Sequence, residues 1–558
     1  MASVAYFSME IGVAPDMPTY AGGLGMLAGD TLRSAADLGV RMVGLSLLAR
    51  KGYFRQRLDA AGRQTEEPAV WNVSAFLVEQ PERTAVTIEG RSVRLRSWRY
   101  DVRGAESVVP VYFLDADLPD NAPDDRALTD VLYGGDQRYR LCQEVILGIG
   151  GVRMLRALGY DRLDRFHLNE GHASLLVFEL LDEARRASGS PAPSMDDVAS
   201  VRRRCVFTTH TPVPAGHEQF APDLVDAVIG PGHLAGLRDL CCHAGRVNLT
   251  YLALNFSHYV NGVTMKHGEV SRKLFSGYTV DAITNGVHAG TWTAPEFQAL
   301  FDRHIPGWRR DNFSLRYAIS LPPDEIWTAH VSAKARLIDR VSRETGVRLS
   351  PEVLTLGFAR RATAYKRADL LMHDLDRLRT LAAGAGGLQL VFAGKAHPRD
   401  WEGKAMIERL FAAKTALATR VPMVYLEEYD MALGGLLTAG VDVWLNTPHQ
   451  PFEASGTSGM KAALNGVPSL SVPDGWWVEG CIENVTGWSI GVETDGEDDR
   501  TELEARALYD ALEQLVAPRY YGDRARFVAM MRQTIALNGS FFNSQRMIEE
   551  YQLKAYDV

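Results

Sequence analysis

Short runs of consecutive apolar residues alternate along this chain with longer stretches in which apolar residues recur at i, i+3 and i+4. The short runs read as buried strands and the longer ones as amphipathic helices. In the first half, strands are expected at Met42–Ala49, Val109–Leu114 and Cys205–Thr209, with helices at Leu24–Leu38, Val145–Leu158 and Leu175–Ala184. In the second half, strands are expected at Val353–Phe358, Leu388–Ala393, Val421–Leu426, Val441–Leu445 and Ser469–Val472, with helices at Ala368–Leu381 and Ala432–Ala439 between them. Such alternation predicts α/β domains built on parallel sheets, and the second half reads as a doubly wound sheet. A stretch rich in Pro, Trp and charge, Gly290 to Ile326, precedes a helical segment, Ala329 to Thr345. The domain boundary is therefore expected near 290–300, with domains over 1–295 and 296–558, and the last helical segment, Arg546 to Tyr556, is expected to pack back on the first.

A chain of 558 residues exceeds what one hydrophobic core organises, which agrees with two domains. Hydrophobic residues make up 46% and charged residues 23%, values of an ordinary globular chain that exclude disorder. The formal net charge of −9 leaves no basic footprint for nucleic acid or an anionic membrane, so any phosphate site must be local. No apolar stretch approaches a membrane span. Met1-Ala2-Ser3-Val4 leads straight into a strand-like Ala5-Tyr6-Phe7, so no signal peptide is expected. The five cysteines are scattered without a CxxC pair and read as reduced thiols of a cytoplasmic protein. His210, His217 and Glu218 lack the spacing of a helical HExxH face, and no metal is expected.

Candidate chemistry concentrates at strand ends. After the run Val441–Leu445, the chain reads Glu453-Ala454-Ser455-Gly456-Thr457-Ser458-Gly459-Met460-Lys461 and enters a helix. A small-residue loop before a helix N-terminus presents free N–H groups to an anion. Lys461, one turn inside, offers an amine that can form a Schiff base with an aldehyde cofactor. Together these fit a phosphorylated aldehyde; an ordinary surface lysine on a βα turn fits the same letters. A second cluster, Phe358-Ala359-Arg360-Arg361-Ala362-Thr363-Ala364-Tyr365-Lys366-Arg367, places four cations at the carboxyl end of a strand, where open α/β sheets bind ligands. It reads as a phosphate-binding edge or as a solvated charge run. Thr19 to Ala28 carries Gly22, Gly23 and Gly25 ahead of a helix, and Ile283-Thr284-Asn285-Gly286-Val287-His288 forms a polar turn near the boundary. In nucleotide-sugar transferases with two Rossmann-like domains, a second glutamate follows the first and accepts from a ribose. Here Lys461 stands near that place, and an ammonium has only donors.

These residues together resemble the glycogen/starch (α-glucan) phosphorylases, in their short prokaryotic form. The resemblance rests on Tyr6-Phe7-Ser8-Met9-Glu10, Gly22-Gly23-Leu24-Gly25, Leu132-Tyr133-Gly134-Gly135-Asp136, Asn169-Glu170-Gly171-His172, His210-Thr211, Asn285-Gly286, Arg361 with Tyr365-Lys366-Arg367, Gly394-Lys395, Glu453 through Lys461, and Asp474 through Gly480. It implies an α/β protein of two Rossmann-like domains, the GT-B architecture, with the active site in the cleft between them. It implies the cofactor pyridoxal 5'-phosphate and reversible phosphorolysis of terminal α-1,4-glucosyl units to α-glucose 1-phosphate with retained configuration. Lys461 would carry the cofactor with Tyr429 near its ring, and Gly456, Thr457, Ser458, Gly22, Gly23 and Arg360 would hold its phosphate. Arg361 and Lys366 would clamp inorganic phosphate. Leu24, His210, Asn285, Tyr365, Glu453, Ala454 and Ser455 would line the sugar. The implied partners are α-glucan or maltooligosaccharide and inorganic phosphate, with a homodimer also expected and neither nucleic acid nor membrane.

The chain departs from the family pattern in places. Thr363-Ala364 stand where a His-Glu pair precedes the tyrosine of the cationic loop, and Arg360 stands for the more usual lysine. The N-terminal segment that carries phosphorylation and AMP control in animal enzymes does not precede the first motif, so no such regulation is expected. The alternatives are a nucleotide-sugar-dependent glucan glucosyltransferase, a phosphorylase of another glycoside, and a non-catalytic glucan-binding relative.

Overall fold

The structure is a computed structural model that describes residues 2–190, 192–213, 216–234, 237–384, 386–493 and 499–558. Seven parallel strands form the centre of the first sheet: β1 (Val4–Ser8), β2 (Met42–Leu47), β3 (Val108–Asp115), β4 (Arg165–Asn169), β5 (Cys205–Thr208), β6 (Tyr259–Gly262) and β7 (Asp281–Ala282). They lie in the order β7-β6-β5-β4-β1-β2-β3, with Val4 paired to Met42 on one side and Arg165 on the other. β1 and β2 are buried throughout, as strands covered on both faces require.

The sheet reaches ten strands because Arg91–Arg103 adds antiparallel to β3 and carries Val78–Glu79 and Thr84–Ile88. This antiparallel wing departs from the parallel expectation. Its long strand buries Val93 and Leu95 while Arg91 and Arg94 stay exposed, so one face is wet and no continuous apolar run marks it.

The second sheet is wholly parallel: β8 (Thr355–Ala359), β9 (Gln389–Ala393), β10 (Met423–Leu426), β11 (Val443–Asn446), β12 (Ser469–Ser471) and β13 (Gly487–Ser489), in the order β10-β9-β8-β11-β12-β13. The expected strands of this half are all present, shortened by one or two residues where their ends turn into loops.

Six helices position or brace the residues of interest: α1 (Gly23–Asp37), α2 (Gln137–Val145), α3 (Pro323–Thr345), α4 (Met431–Gly440), α5 (Ser458–Leu464) and α6 (Ser544–Tyr551). Two expected helices are interrupted. Val145–Leu158 is a wide π turn at Ile146–Gly150 followed by a short helix, Gly151–Ala157. A Cβ on Gly151 would lie 2.6 Å from the Phe7 ring, and one on Gly148 would lie 2.6 Å from the Leu176 nitrogen, so glycine permits this close packing. Ala368–Leu381 divides into a tight turn at Leu370–Met372 and a helix from Leu375, because Asp374 caps the second piece by accepting from the Arg377 N–H at 2.9 Å. Gly290–Ile326 also contains a helix, Pro295–His304, and α3 begins inside it at Pro323, with proline in the first turn. Among the described residues no helix is long and apolar enough to cross a membrane.

α6 and the turn after it lie on the first sheet. Tyr551 shares its hydroxyl with Thr208 (2.9 Å) and Asn261 (3.0 Å), and the Tyr556 hydroxyl meets His167 Nδ1 at 2.6 Å. Met547, Ile548, Tyr551 and Tyr556 join Val4, Tyr6 and Leu32 in one buried cluster.

Beneath the second sheet a buried carboxylate ties three elements. Asp442 accepts from Lys334 Nζ at 2.6 Å, His330 Nε2 at 2.8 Å and the Thr355 N–H at 2.7 Å. Burial raises its pKa, but Lys334 and His330 outweigh that and hold it below the ordinary carboxylate range. A depressed pKa means that this stabilisation is present above the ordinary carboxylate pKa and is lost as pH falls through the folded-state value. Replacing Lys334 with Met leaves Asp442 buried without its closest cation and is expected to cost about 3–5 kcal/mol. The expected readout is a lower thermal unfolding midpoint, and an unchanged midpoint would remove Asp442 as a stabilising tie.

Candidate active site

Parallel strands send all their carboxyl ends to one edge, and ligands bind there where the strand order reverses. In the second sheet the reversal falls between β8 and β11, the strands that feed the Arg360–Arg367 loop and the Asn446–Thr457 loop. In the first sheet it falls between β1 and β4, which feed the segment from Met9 to Gly22 and the Glu170–His172 turn. Hydrogen bonds join these edges. Thr264 Oγ1 donates to the Ala454 carbonyl at 2.9 Å, Met431 N–H to the Tyr20 hydroxyl at 2.9 Å, and Lys395 Nζ to the Phe54 carbonyl at 3.0 Å.

Lys461 lies in α5 with its side chain buried. Its Nζ sits 3.4 Å from the centre of the Trp292 ring and makes no hydrogen bond or ion pair among the described residues. Trp292 is held by its Nε1–H, which donates to Asp30 of α1 at 2.7 Å. Burial lowers the Lys461 pKa to about 8, against the pull of Asp30 and with the push of Arg33. A buried amine without a partner is costly as a cation and suited to be a nucleophile toward a carbonyl.

The α5 start is tightly packed. A Cβ on Gly459 would lie 2.6 Å from the Trp476 ring, so glycine is required there. Gly456 has φ +83, a backbone that favours glycine, and Thr457 is an N-cap without a side-chain cap bond. The Ser458 hydroxyl instead accepts from Trp444 Nε1 at 3.1 Å.

Glu453 organises the cationic loop. Its carboxylate meets Arg360 at 2.5 Å and Lys366 Nζ at 3.2 Å, all three groups being buried. Burial raises the Glu453 pKa, but Arg360 and Lys366 together bring it below the ordinary range. Arg360 also donates to Asn446, and its charge reaches the half-buried Tyr429, whose hydroxyl is pushed up to about 12 by its desolvation. Lys366 lies 4.7 Å over the Tyr365 ring. Arg367 has a structural role, bonded to the Thr447 and Pro448 carbonyls and to Glu504.

Arg361 differs from all of these. Its side chain is solvent-accessible and makes no hydrogen bond or ion pair among the described residues. The surrounding protein works to lower its pKa, yet Tyr365, Tyr53, Glu10 and Tyr133 around it raise the balance. An unpaired guanidinium is a strong donor for an anion. Asp474, which accepts from the Glu453 N–H at 2.9 Å, is pushed up to about 7 by burial and by Glu453. The Ser455 hydroxyl beside it is buried without a partner.

From the first sheet, Glu10 accepts from the Ala21 N–H at 2.5 Å and the Gly22 N–H at 3.0 Å, and Tyr133 donates to its other oxygen at 2.9 Å. The Gly22 amide is thereby occupied. Gly23 and Leu24 open α1 with neither a side-chain cap nor an acidic residue in its first turn, and a Cβ on Gly22 or Gly23 would meet nothing within 4 Å. Glu170 holds a left-handed backbone, φ +75, over-determined by bonds from its carboxylate to the Gly171 N–H (2.9 Å), the His210 N–H (2.8 Å) and the Thr211 hydroxyl (2.9 Å). His210 Nε2 meets Asn169 at 2.7 Å, and burial lowers its pKa to about 3, so the ring is neutral. The Asn285 carbonyl accepts from Arg546 at 3.1 Å while its side-chain Oδ1 is buried without a partner.

Arg360, Lys366, Glu453 and Tyr429 thus form one connected group with Asn446 and Asp474. Lys461 keeps company with Trp292, Asp30 and Arg33, and Arg361 with Tyr53, Tyr133 and Glu10. Asp30 and Arg33 of α1 and Asn446 at the end of β11 were not assigned to the site from the sequence, and Glu10 and Asp474 stood in matched motifs without an assigned role. Trp292 falls in the Trp-rich stretch that begins at Gly290, where the sequence assigns it no neighbour.

The family model for carbohydrate phosphorylases matches residues 239–490. A maltodextrin phosphorylase of Thermococcus litoralis is 39% identical over 99% of this chain and 70% of its own. A glycogen phosphorylase of Mycobacterium tuberculosis is 38% identical over 98% of this chain and 70% of its own. A glycogen phosphorylase of Aquifex aeolicus is 34% identical over 99% and 86%.

In protein freed of carbonyl ligands, acylation of Lys461 should follow a titration with a midpoint of about 8. Ordinary lysines titrate at about 10.4. Competitive labelling across pH with peptide mass spectrometry measures this, and a Lys461 midpoint equal to that of exposed lysines would contradict the buried, partnerless amine.

Proposed function

The chain belongs to the carbohydrate phosphorylase family, and we propose that it cleaves terminal α-1,4-glucosyl units of maltodextrin or glycogen with inorganic phosphate, reversibly and with retention, to α-glucose 1-phosphate. The observation that carries this reading is the buried, partnerless Lys461 amine within the run from Glu453 to Lys461. We read the two sheets as Rossmann-like domains, 1–295 and 296–558, of a GT-B arrangement with the site between them. The scattered free cysteines fit a cytoplasmic setting.

The residues present fit pyridoxal phosphate. Lys461 would hold it through its amine, beside Trp292 and with Tyr429 at the site. The open space over Gly22 and Gly23, the uncapped amides at Thr457 and Ser458, and Arg360 would receive its phosphate. When bound, the cofactor supplies a phosphate whose second pKa of about 6 suits proton exchange near neutral pH.

The protein's own groups divide the remaining work. Arg360, the nearer cation at 2.5 Å, compensates Glu453, which leaves the more distant Lys366 free to turn toward an incoming anion. Arg361 needs no release at all. Lys366 and Arg361 would hold inorganic phosphate on the face that the leaving glucan vacates, which gives retention. Clustered cations held by the fold would stabilise the charge that develops there. Glu453, Ala454, Ser455, Tyr365, Leu24, Asn285 and the His210 backbone would grip the glucosyl hydroxyls, and the orphaned oxygens of Ser455 and Asn285 would gain partners.

Lys461→Ala should lose both the absorbance of bound pyridoxal phosphate and phosphate-dependent release of glucose 1-phosphate from maltodextrin; retained activity would overturn the assignment. Lys366→Ala should lower kcat/KM for phosphate by about 10²–10³ and leave the KM for glucan nearly unchanged. An equal effect on both substrates would contradict its role.

A further inference from the structure

Behind Tyr133, away from Lys461, three side chains with ligand chemistry converge. Glu144 of α2, His172 of the turn after β4, and Glu218 each offer one ligand atom, and these atoms all lie within 4.8 Å of one another. Glu144 is fully buried, and among the described residues neither of its carboxylate oxygens has a hydrogen-bond partner. His172 Nδ1 is likewise buried and unpartnered. Glu218 is engaged through Oε1 by Arg140, the one cation bonded to the group among the described residues, which also stacks 4.7 Å over the Tyr133 ring.

Two carboxylates therefore face one guanidinium, and Glu144 receives none of its hydrogen bonds. A buried carboxylate left in that state is costly unless a counter-ion or a proton joins it. We propose that Glu144, His172 and Glu218 form a binding site for one first-row divalent transition-metal ion, Zn2+ being the best fit to one imidazole nitrogen and two carboxylate oxygens.

Calcium and magnesium prefer all-oxygen shells, which the imidazole disfavours. The ion would tie α2, the Glu170–His172 turn and the lead-in to the short strand Gln219–Phe220 into one unit, directly behind the Tyr133 ring that lies 5.7 Å from His172. Its role would be to brace that wall of the site, since Lys461 and Arg361 are served by other residues. The sequence alone predicts no metal, because the three ligands come from separate elements and share no motif spacing.

The test uses the full chain, free of any affinity tag, stripped with a chelator, desalted, and titrated with Zn2+ and with Co2+. One tightly bound equivalent of Zn2+, a visible Co2+ absorption band and a Zn2+-dependent rise in melting temperature are expected. Glu144→Gln and His172→Ala should each weaken Zn2+ binding by at least about tenfold and abolish the melting shift. Glu144→Gln also keeps the shape of the side chain, so its melting temperature without metal reports whether it folds. A wild-type protein that holds no stoichiometric Zn2+ or Co2+ overturns the proposal in favour of a protonated Glu144 among waters, and so does Zn2+ binding that both variants retain.

Discussion

Parallel strand pairing is the constraint on which the site depends. Because β1, β4 and β5 run the same way, Glu10, Glu170 and His210 leave the first sheet at a single edge. β8 and β11 do the same for Arg360, Arg361, Lys366, Asn446 and Glu453. Each sheet alone carries only part of the candidate site. The bonds from Thr264 to Ala454, from Met431 to Tyr20 and from Lys395 to Phe54 bring the two edges together. Segments far apart in the chain thereby share one small volume.

Within that volume, charge is distributed unevenly. Glu453 and Asn446 occupy Arg360, Glu453 also engages Lys366, Glu504 occupies Arg367, and of these four cations Arg361 alone is left without a partner among the described residues. A set of equivalent exposed lysines and arginines would attract anions without positioning any of them. The same inequality appears among the acids, where Glu453 is held ionised while the neighbouring Asp474 is raised to about 7.

Much of this was legible in the linear chain, and the reason differs by element. The strands of the second sheet are buried on both faces and so appear as unbroken apolar runs. The wet antiparallel wing of the first sheet, Arg91–Arg103, hid behind its arginines. The cationic loop and the run from Glu453 to Lys461 were readable because their functional residues are contiguous. What surrounds Lys461 was not, since Asp30 and Arg33 are ordinary charged residues on an ordinary helix until α1 is laid against Trp292. The capping of Ala21 and Gly22 by Glu10 was equally invisible, and it changes the role of the glycine turn by occupying the Gly22 amide.

The hydroxyls of Tyr551 and Tyr556 complete a buried polar set, His167, Thr208 and Asn261, whose other members belong to strands near the start of the chain. During synthesis those strands leave the ribosome hundreds of residues before their tyrosines do. Until then α1 covers part of that face through Leu32 and Ala35, while His167, Thr208 and Asn261 lack their tyrosine partners. Burial of those polar groups on that face thus waits on a segment made hundreds of residues later.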